Sequence, residues 1–257
     1  MIDIHSHILN NVDDGSKSLD NTIDNLKKAE QADFTDVILT PHYIEGYYEN
    51  TKNKIKNKIN ELKKEIYKED IIIQLHQGNE ILLTENTPSL LAKSKISTLA
   101  NSRYILFEIP FSNRMFNLGE IIYKIKADGH IPILAHPERY TYIQENPNNL
   151  IEIIKHGVLV QSNYGSFAGQ YGKTVKQTAE ILLQNNLIHF LGTDTHRQGY
   201  IYENIKAILK RLEEVSGDER YIYEITTTNP KKILDDLDIY IDCPEKIRDR
   251  KKVFFFF

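Results

Sequence analysis

Short β-branched apolar runs alternate with longer stretches of helical periodicity along this chain of 257 residues. Seven such runs predict strands, at residues 2–4, 37–40, 71–77, 104–108, 131–135, 158–162 and 189–192. Repeated strand-then-helix units imply an α/β fold with a parallel sheet and right-handed crossovers. Seven units in this length favour a closed (β/α)7 TIM-like barrel, and an open doubly wound sheet remains the alternative.

Apolar residues at helical spacing predict helices over residues 118–127, 150–156, 174–185 and 201–215. In the Lys-rich stretch before them, one apolar stripe is formed by Ile55, Ile59, Leu62 and Ile66. The lysines on the other faces are therefore interpreted as a solvated helix surface rather than a nucleic-acid site.

Composition restricts the class of protein. The net charge of −4 argues against a dedicated nucleic-acid binder, which needs a concentrated basic surface. The single cysteine, Cys243, allows no intramolecular disulfide, and the N-terminus lacks the pattern of a signal peptide. A cytoplasmic protein is expected, with a barrel domain over residues 1–240 and a basic, aromatic tail over residues 241–257.

Nearly every predicted strand ends in a histidine or a carboxylate. The residues concerned are His5, His7, Asp14, His42, Glu80, Glu108, His136, Asp194 and His196. Because all strand C-termini of a βα-barrel open on one face, these side chains are expected to converge. That many carboxylates would repel one another without a cation. Mixed imidazole and carboxylate ligation suits Mn, Fe or Zn better than Ca or Mg.

Spacing strengthens the prediction of a metal site. His5 and His7 are two residues apart, so on a regular strand they share a face and can bind one ion together. Asp194 and His196 repeat that spacing near the other end of the chain. The remaining histidines lie inside a strand run or in turns expected at the opposite end of the barrel, and they are not expected to bind metal: His76, His130, His156 and His189.

Several motifs resemble one family. Residues 3–8 read Asp-Ile-His-Ser-His-Ile, residues 12–15 Val-Asp-Asp-Gly and residues 136–140 His-Pro-Glu-Arg-Tyr. Together with the blocks at residues 40–42, 78–80 and 192–196, they resemble the PHP-superfamily bacterial protein tyrosine phosphatases. These are manganese-dependent enzymes associated with capsule and exopolysaccharide synthesis. The resemblance covers about the first 235 residues.

The resemblance implies the PHP fold, a distorted seven-stranded βα-barrel, holding three metal ions, with Mn²⁺ expected and Fe or Zn as alternatives. One ion would be bound by His5, His7, Glu80 and Asp194. A second would share Glu80 and add Glu108 and His136. A third would be bound by Asp14, His42 and His196.

The same resemblance implies that Arg139, Glu80 and His136 serve catalysis and that Arg139 contacts the substrate phosphate. Relatives often carry a second phosphate-binding arginine beyond the last Asp-x-His. Here only Arg197 is available, adjacent to a ligand, and the alternative is that it is an ordinary surface arginine. Tyr43 begins an aromatic loop that can stack on a phosphotyrosine ring or, alternatively, pack on the barrel rim.

The expected reaction is hydrolysis of phosphotyrosine by a metal-bridging hydroxide, without a phosphoenzyme. Cys243 fits this expectation, because no glycine-rich loop or suitably spaced arginine accompanies it. The alternatives are a small-molecule phosphatase such as histidinol phosphatase, or a catalytically silent PHP binding module. A nuclease is poorly supported by the charge.

The expected partner is a phosphotyrosine protein, specifically a bacterial tyrosine kinase acting in polysaccharide export, and an oligomer is possible. The tail ends in a basic cluster and four phenylalanines. Such a segment can contact an anionic membrane or a partner, or instead form a short strand or an oligomer contact.

Overall fold

The computed structural model of the chain describes residues 1–112, 114–196, 199–240 and 244–247. Its strands are β1 (Ile2–Ser6), β2 (Asp36–Leu39), β3 (His42–Ile44), β4 (Tyr48–Glu49), β5 (Gln74–Gln77), β6 (Glu80–Leu82), β7 (Tyr104–Glu108), β8 (Ile131–Ala135), β9 (Leu159–Asn163) and β10 (Phe190–Gly192). All seven predicted strands are present, two of them with the predicted bounds.

Strand pairing gives two sheets, of order β1-β2-β5 and β10-β9-β8-β7-β6-β3-β4. Every pairing is parallel except that of β3 with β4. The predicted α/β class with a mostly parallel sheet is therefore confirmed. The predicted closed seven-stranded barrel is not: between β1 and β10, the described residues form only the isolated bridge Ser6–Thr195.

Two interruptions explain why strands pair in separate sheets. Pro41 separates β2 from β3, and it has no N–H to donate to a neighbouring strand. Gly78 separates β5 from β6 at a place where an added Cβ would lie 2.9 Å from the Leu99 side chain. β3 and β6 were not predicted, because the polar residues after these breaks are typical of loops.

The helices cover the outside of the strands. They are α1 (Leu19–Gln31), α2 (Lys52–Lys68), α3 (Thr87–Ala92), α4 (Leu118–Ala127), α5 (Thr141–Glu145), α6 (Asn148–Lys155), α7 (Tyr164–Ala168), α8 (Lys173–Gln184), α9 (Tyr200–Ser216), α10 (Glu219–Tyr223) and α11 (Asn229–Leu234). The predicted stripe of α2 is buried, while most of its lysines are exposed. No helix among the described residues is long and apolar enough to cross a membrane.

The interior face of the strands changes from apolar to polar along the chain direction. On β7, Tyr104 and Leu106 are fully buried in an apolar cluster, and Glu108 follows on the same face. On β9, Leu159 belongs to the same cluster, and Gln161 follows it. The apolar layer therefore supports a polar layer at the C-terminal ends of the strands.

The predicted tail falls mostly outside the described residues, which include only Pro244–Ile247 of it. There, the Ile247 N–H donates to Asn148 Oδ1 at 2.8 Å, so this short piece lies against the start of α6. The division into residues 1–240 and 241–257, and the proposed roles of the tail, stay predictions.

A buried carboxylate joins the first strand to the end of the last one. Asp3 is fully buried and accepts hydrogen bonds from the Thr193 N–H at 3.0 Å and the Thr193 hydroxyl at 2.7 Å. The Tyr202 hydroxyl of α9 donates to it at 2.7 Å. Burial raises the pKa of Asp3, and these hydrogen bonds oppose that effect. Asp3 thus fixes the segment that carries Asp194.

We expect Asp3→Asn to lower the free energy of unfolding by about 1–3 kcal/mol, because an amide cannot accept from all these donors. Urea denaturation of the metal-stripped protein measures the change. Asp33→Asn is the matched control: its side chain is 79% exposed, so a change within about 0.5 kcal/mol is expected. Equal stability of the two variants would contradict the proposed role of Asp3.

Candidate metal centre

The nine side chains predicted from the strand ends come together at the C-terminal ends of the strands. Each takes part in at least one group whose possible ligand atoms lie within 4.8 Å of one another. The groups are His7, Asp14, His42 and His196; His5, His7 and Glu80; His5, His136 and Asp194; and His42, Glu80 and Glu108. None of the other four histidines belongs to a group formed by the described residues.

The deepest set surrounds the two histidines of β1. His5 Nε2 and His7 Nε2 are 3.1 Å apart. Glu80 Oε2 lies 3.4 Å from His5 Nε2 and 3.2 Å from His7 Nε2, and Asp194 Oδ1 lies 3.5 and 3.6 Å from them. Tetrahedral ligands ~2.1 Å from one ion are separated by roughly 3.4 Å. These spacings therefore fit ligands of a single ion.

Glu80 links this set to a second one. Its Oε1 atom is 2.8 Å from His136 Nε2, and its Oε2 atom is 3.0 Å from His42 Nδ1. Glu108 lies on the far side, 4.0 Å from His136 Nε2 and 3.5 Å from His42 Nδ1. The two oxygens of one carboxylate thus face two different groups of nitrogen atoms.

A third set lies at the mouth of the site. Asp14 Oδ1 is 3.6 Å from His42 Nε2 and 3.5 Å from His196 Nε2. The Asp14 side chain is 55% exposed, whereas those of His5 and His7 are fully buried. The third set is therefore the most accessible to solvent and to a substrate.

Backbone strain aims two of these side chains inward. His136 and Asp194 have positive φ values of 34° and 51°, in the left-handed region that few residues other than glycine adopt. His136 directly follows β8, and Asp194 comes two residues after the end of β10. Strain of this kind persists where the surrounding structure demands it, and it concentrates at functional sites.

Hydrogen bonds determine which nitrogen of each β1 histidine faces the cluster. Gln161 Nε2 donates to the Ser162 carbonyl, which orients the amide so that its Oε1 accepts from His5 Nδ1 at 2.8 Å. Asp13 accepts from His7 Nδ1 at 2.8 Å. Both Nε2 atoms then present lone pairs to each other. Two lone pairs at that distance require a cation or a proton between them.

Several buried ligand atoms lack a hydrogen-bond partner among the described residues, including Glu80 Oε2, Asp194 Oδ1 and His42 Nδ1. Buried polar atoms are nearly always paired, so these atoms are suited to act as ligands of a bound cation. Imidazole nitrogens with carboxylate oxygens form a donor set typical of Mn, Fe or Zn. The residues present therefore fit divalent metal ions.

The protonation of the cluster reflects its crowded charges. Burial disfavours a charged imidazole, but Glu80 and Asp194 outweigh it and raise the pKa of His5 to about 9. Burial opposes the charged form of His42 as well, but Glu80, Glu108 and Asp13 outweigh it and raise the pKa of His42 to about 9. Burial and the neighbouring Glu80 raise the pKa of Glu108 to about 8. In the absence of metal, bound protons thus supply the positive charge that metal ions would otherwise provide.

Asn163 of β9 and Glu138 help to orient the ligands, and neither was predicted from the sequence. Asn163 Nδ2 donates to Asp194 Oδ2 at 2.7 Å, leaving Oδ1 for the cluster. Glu138 is fully buried and accepts from Ser162, Ser166 and the Asn163 N–H, which holds the end of β9 in place. The available signal was the polar triplet Gln-Ser-Asn at residues 161–163, where the strand predicted over residues 158–162 ends.

Arg139 stands beside the cluster. Its Nη1 atom donates to Asp194 Oδ2 at 3.0 Å. Two aromatic rings contact its guanidinium group, Phe111 at 4.7 Å and Tyr171 at 4.6 Å from the ring centroids. Neither ring was predicted. The two rings hold the guanidinium group of Arg139 next to Asp194, a candidate ligand of the deepest set.

The other two residues predicted to contact the substrate, Tyr43 and Arg197, are not seen in that role. Tyr43 is only 1% exposed and belongs to the apolar core, so its ring has no free face for a substrate. The stacking role predicted for it is therefore not supported, and the alternative of packing in the rim describes it better. Tyr48, which lies in β4, is near the site instead, with its ring centroid 6.1 Å from that of His42. Arg197 lies outside the described residues.

Comparison with known proteins agrees with the motifs. The family model for capsular polysaccharide synthesis proteins, CpsB/CapC, matches residues 1–235. The chain belongs to the CpsB/CapC family. The tyrosine-protein phosphatase YwqE of Bacillus subtilis is 33% identical over 257 residues, covering all of both chains. The tyrosine-protein phosphatase CpsB of Streptococcus pneumoniae is 30% identical over 248 residues, covering 92% of this chain and 99% of CpsB.

A solved structure supports the same family. It comes from crystallographic work on YwqE from Bacillus subtilis and CpsB from Streptococcus pneumoniae, described as metal-dependent tyrosine phosphatases. It matches with a TM-score of 0.88 and 32% identity, covering 96% of this chain and all of the other. The resemblance inferred from the motifs is thus confirmed for this CpsB/CapC chain.

We expect Gln161→Leu to weaken metal binding by about 10- to 100-fold, because His5 loses the acceptor that fixes its tautomer. Calorimetric titration of the metal-stripped protein with Mn²⁺ measures the affinity. Gln184→Leu, an exposed glutamine at the end of α8, is the matched control and should bind like the unmodified protein. Unchanged affinity in Gln161→Leu would contradict the orienting role.

Proposed function

We propose that this protein is a metal-dependent protein tyrosine phosphatase of capsule or exopolysaccharide synthesis. One observation carries the proposal: nine converging imidazole and carboxylate groups adjoin the guanidinium of Arg139, which stands 3.0 Å from Asp194. The names of YwqE and CpsB support the tyrosine assignment, because both are tyrosine-protein phosphatases.

We assign the metal ligands as the family resemblance implies, in three sets, of which the first two share Glu80. His5, His7 and Asp194 would hold one ion with Glu80, and the measured spacings between their donor atoms support this set. Glu108 and His136 would hold a second ion with Glu80. Asp14, His42 and His196 would hold the third, at the mouth of the site. Mn²⁺ is the ion we propose.

Bound divalent ions would supply Lewis-acid activation of water and neutralise charge on the phosphate. Arg139 would bind the nonbridging phosphate oxygens, in the fork geometry that suits this group. Phe111 and Tyr171 limit the motion of its guanidinium, so less conformational freedom is lost on binding. Asn163 and Gln161 would keep Asp194 and His5 aimed at the ions throughout.

The leaving group also favours this substrate class. A tyrosine phenol has a pKa of ~10, so its phenolate departs with less protonation than an alkoxide requires. Phosphoryl transfer depends mainly on positioning and charge stabilisation, which Arg139 and the ligand sets can provide without a covalent nucleophile. Water would therefore attack directly, with Glu80 and His136 contributing through the ions they hold.

The substrate would be a phosphotyrosine protein, and we infer a bacterial tyrosine kinase of polysaccharide export as the specific partner. A small-molecule phosphatase such as histidinol phosphatase would use the same ligand types. No described feature favours it, and the relatives named above favour the tyrosine phosphatase.

Hydrolysis of a phosphotyrosine peptide by metal-stripped protein is expected to require added Mn²⁺. His136→Ala should lower this activity by roughly 100-fold or more. Loss of a residue that only hydrogen-bonds to a metal ligand lowers activity by about 10- to 100-fold, and loss of the ligand itself should cost at least as much. The matched control is His156→Ala, which changes an exposed histidine outside the ligand groups and should leave turnover unchanged. Turnover of histidinol phosphate but not of the peptide would contradict the proposal.

Cys243→Ser should leave peptide hydrolysis unchanged, since the proposed chemistry uses no thiolate. Cys243 is the single cysteine of the chain, so this variant removes every thiol. Initial rates and metal content of the variant and the unmodified protein are compared. Loss of turnover at normal metal content would show that the reaction proceeds through a cysteine.

A further inference from the structure

A cavity of about 390 Å³ opens directly beside Arg139. Its volume falls within the range of ~300–1,000 Å³ that is usual for small-ligand sites. The lining residues are Asp14, Arg139, Gln170, Tyr171, Asp194, Thr195, His196, Tyr200 and Ile201. A group seated here would therefore touch both the mouth of the candidate metal centre and the guanidinium.

Two kinds of residue line this cavity. Arg139, Asp14 and His196 suit a phosphate and the ion that would neutralise it, and we call them the phosphate side. Tyr171, Tyr200 and Ile201 supply aromatic and aliphatic surface, and we call them the apolar side. A ligand that joins a phosphate to a flat apolar group would match both kinds of residue.

Tyr171 is set in position by the local backbone. It lies in the short turn between α7 and α8, flanked by Gly169 and Gly172, whose φ values of 81° and 94° favour glycine. Its ring centroid is 4.6 Å from the Arg139 guanidinium, and its hydroxyl lies 3.4 Å from Asp194 Oδ2. The ring is therefore held at the edge of the phosphate side.

Tyr200 and Ile201 complete the apolar side from the start of α9. Tyr200 is 55% exposed, and the neighbouring Ile201 is buried. A large, partly exposed aromatic surface next to fixed polar groups is the usual composition of a ligand site. An incoming aromatic ring would cover part of this exposed surface.

We propose that the cavity walled by Tyr171, Tyr200 and Ile201 is the subsite for the aryl group of the substrate. It sets the preference for aryl over alkyl phosphate esters, with the phosphate held on the Arg139 side. This inference rests on the proposed phosphatase function, and it names the residues that select the substrate class. Aromatic rings packed in this way gain affinity beyond their buried area.

The test compares phenylphosphonate with methylphosphonate, because the two share the charged head and differ only in the aryl group. Calorimetry on the Mn²⁺-loaded protein measures both dissociation constants, independently of turnover. The unmodified protein should bind phenylphosphonate more tightly. Tyr200→Leu and Tyr171→Leu should each reduce this preference by about 2- to 10-fold. Tyr123→Leu, which changes a tyrosine of α4 that is 73% exposed, should leave it unchanged.

Three results would overturn the inference: no preference in the unmodified protein, an unchanged preference in both variants, or an equal loss of both phosphonates. The last would show that Tyr171 and Tyr200 only support Arg139 or the metal ligands. Failure of the phosphatase proposal is separate, since it would appear as absent peptide hydrolysis while the phosphonate preference still responded to the variants.

Discussion

Glu80 is fully buried among histidines at the polar end of the strands, and the arrangement of the site depends on this one carboxylate. Its two oxygens face different nitrogen groups, with His136 on one side and His5, His7 and His42 on the other. A buried carboxylate is costly unless positive charge surrounds it. The neighbouring strand ends must therefore supply imidazoles, and these in turn need partners behind them.

Those partners explain much of the buried polar structure around the site. Gln161 and Asp13 fix the rings of His5 and His7, while Asn163 and Arg139 occupy the outer oxygen of Asp194. Ligands held by such outer contacts keep their geometry whether or not an ion is bound. The apolar interior below this layer provides the support, so stability and chemistry are separated along each strand.

The sequence predicted the fold class and the bounds of β7, β8 and α4, because apolar periodicity reports burial directly. It also placed nine ligand candidates at one site, since parallel strands bring their C-terminal ends together. Prediction from the sequence failed for strand pairing, because apolar periodicity carries no information about which strands are neighbours. The pairing of β3 and β6 depends on breaks at Pro41 and Gly78, and closure of a barrel depends on pairings that no local pattern records.

Side-chain roles were predictable only when the residue type restricts them. Histidines and carboxylates at strand ends have few uses, whereas tyrosine is equally common in cores and in sites. Tyr43 was therefore assigned to the substrate although it is buried, and Tyr171 was overlooked although it contacts Arg139. The position of Tyr171 is set by a turn between Gly169 and Gly172, and no sequence motif marks this turn as part of the site.

The central claim is that the converging imidazoles and carboxylates are ligands of divalent metal ions. Anomalous diffraction from crystals grown with Mn²⁺ tests it most directly, because it locates the ions themselves. We predict peaks ~2.1 Å from His5 Nε2, His7 Nε2 and Glu80, with a further peak between Asp14 and His196. A fully occupied manganese position elsewhere on the protein, with none near these atoms, would contradict it.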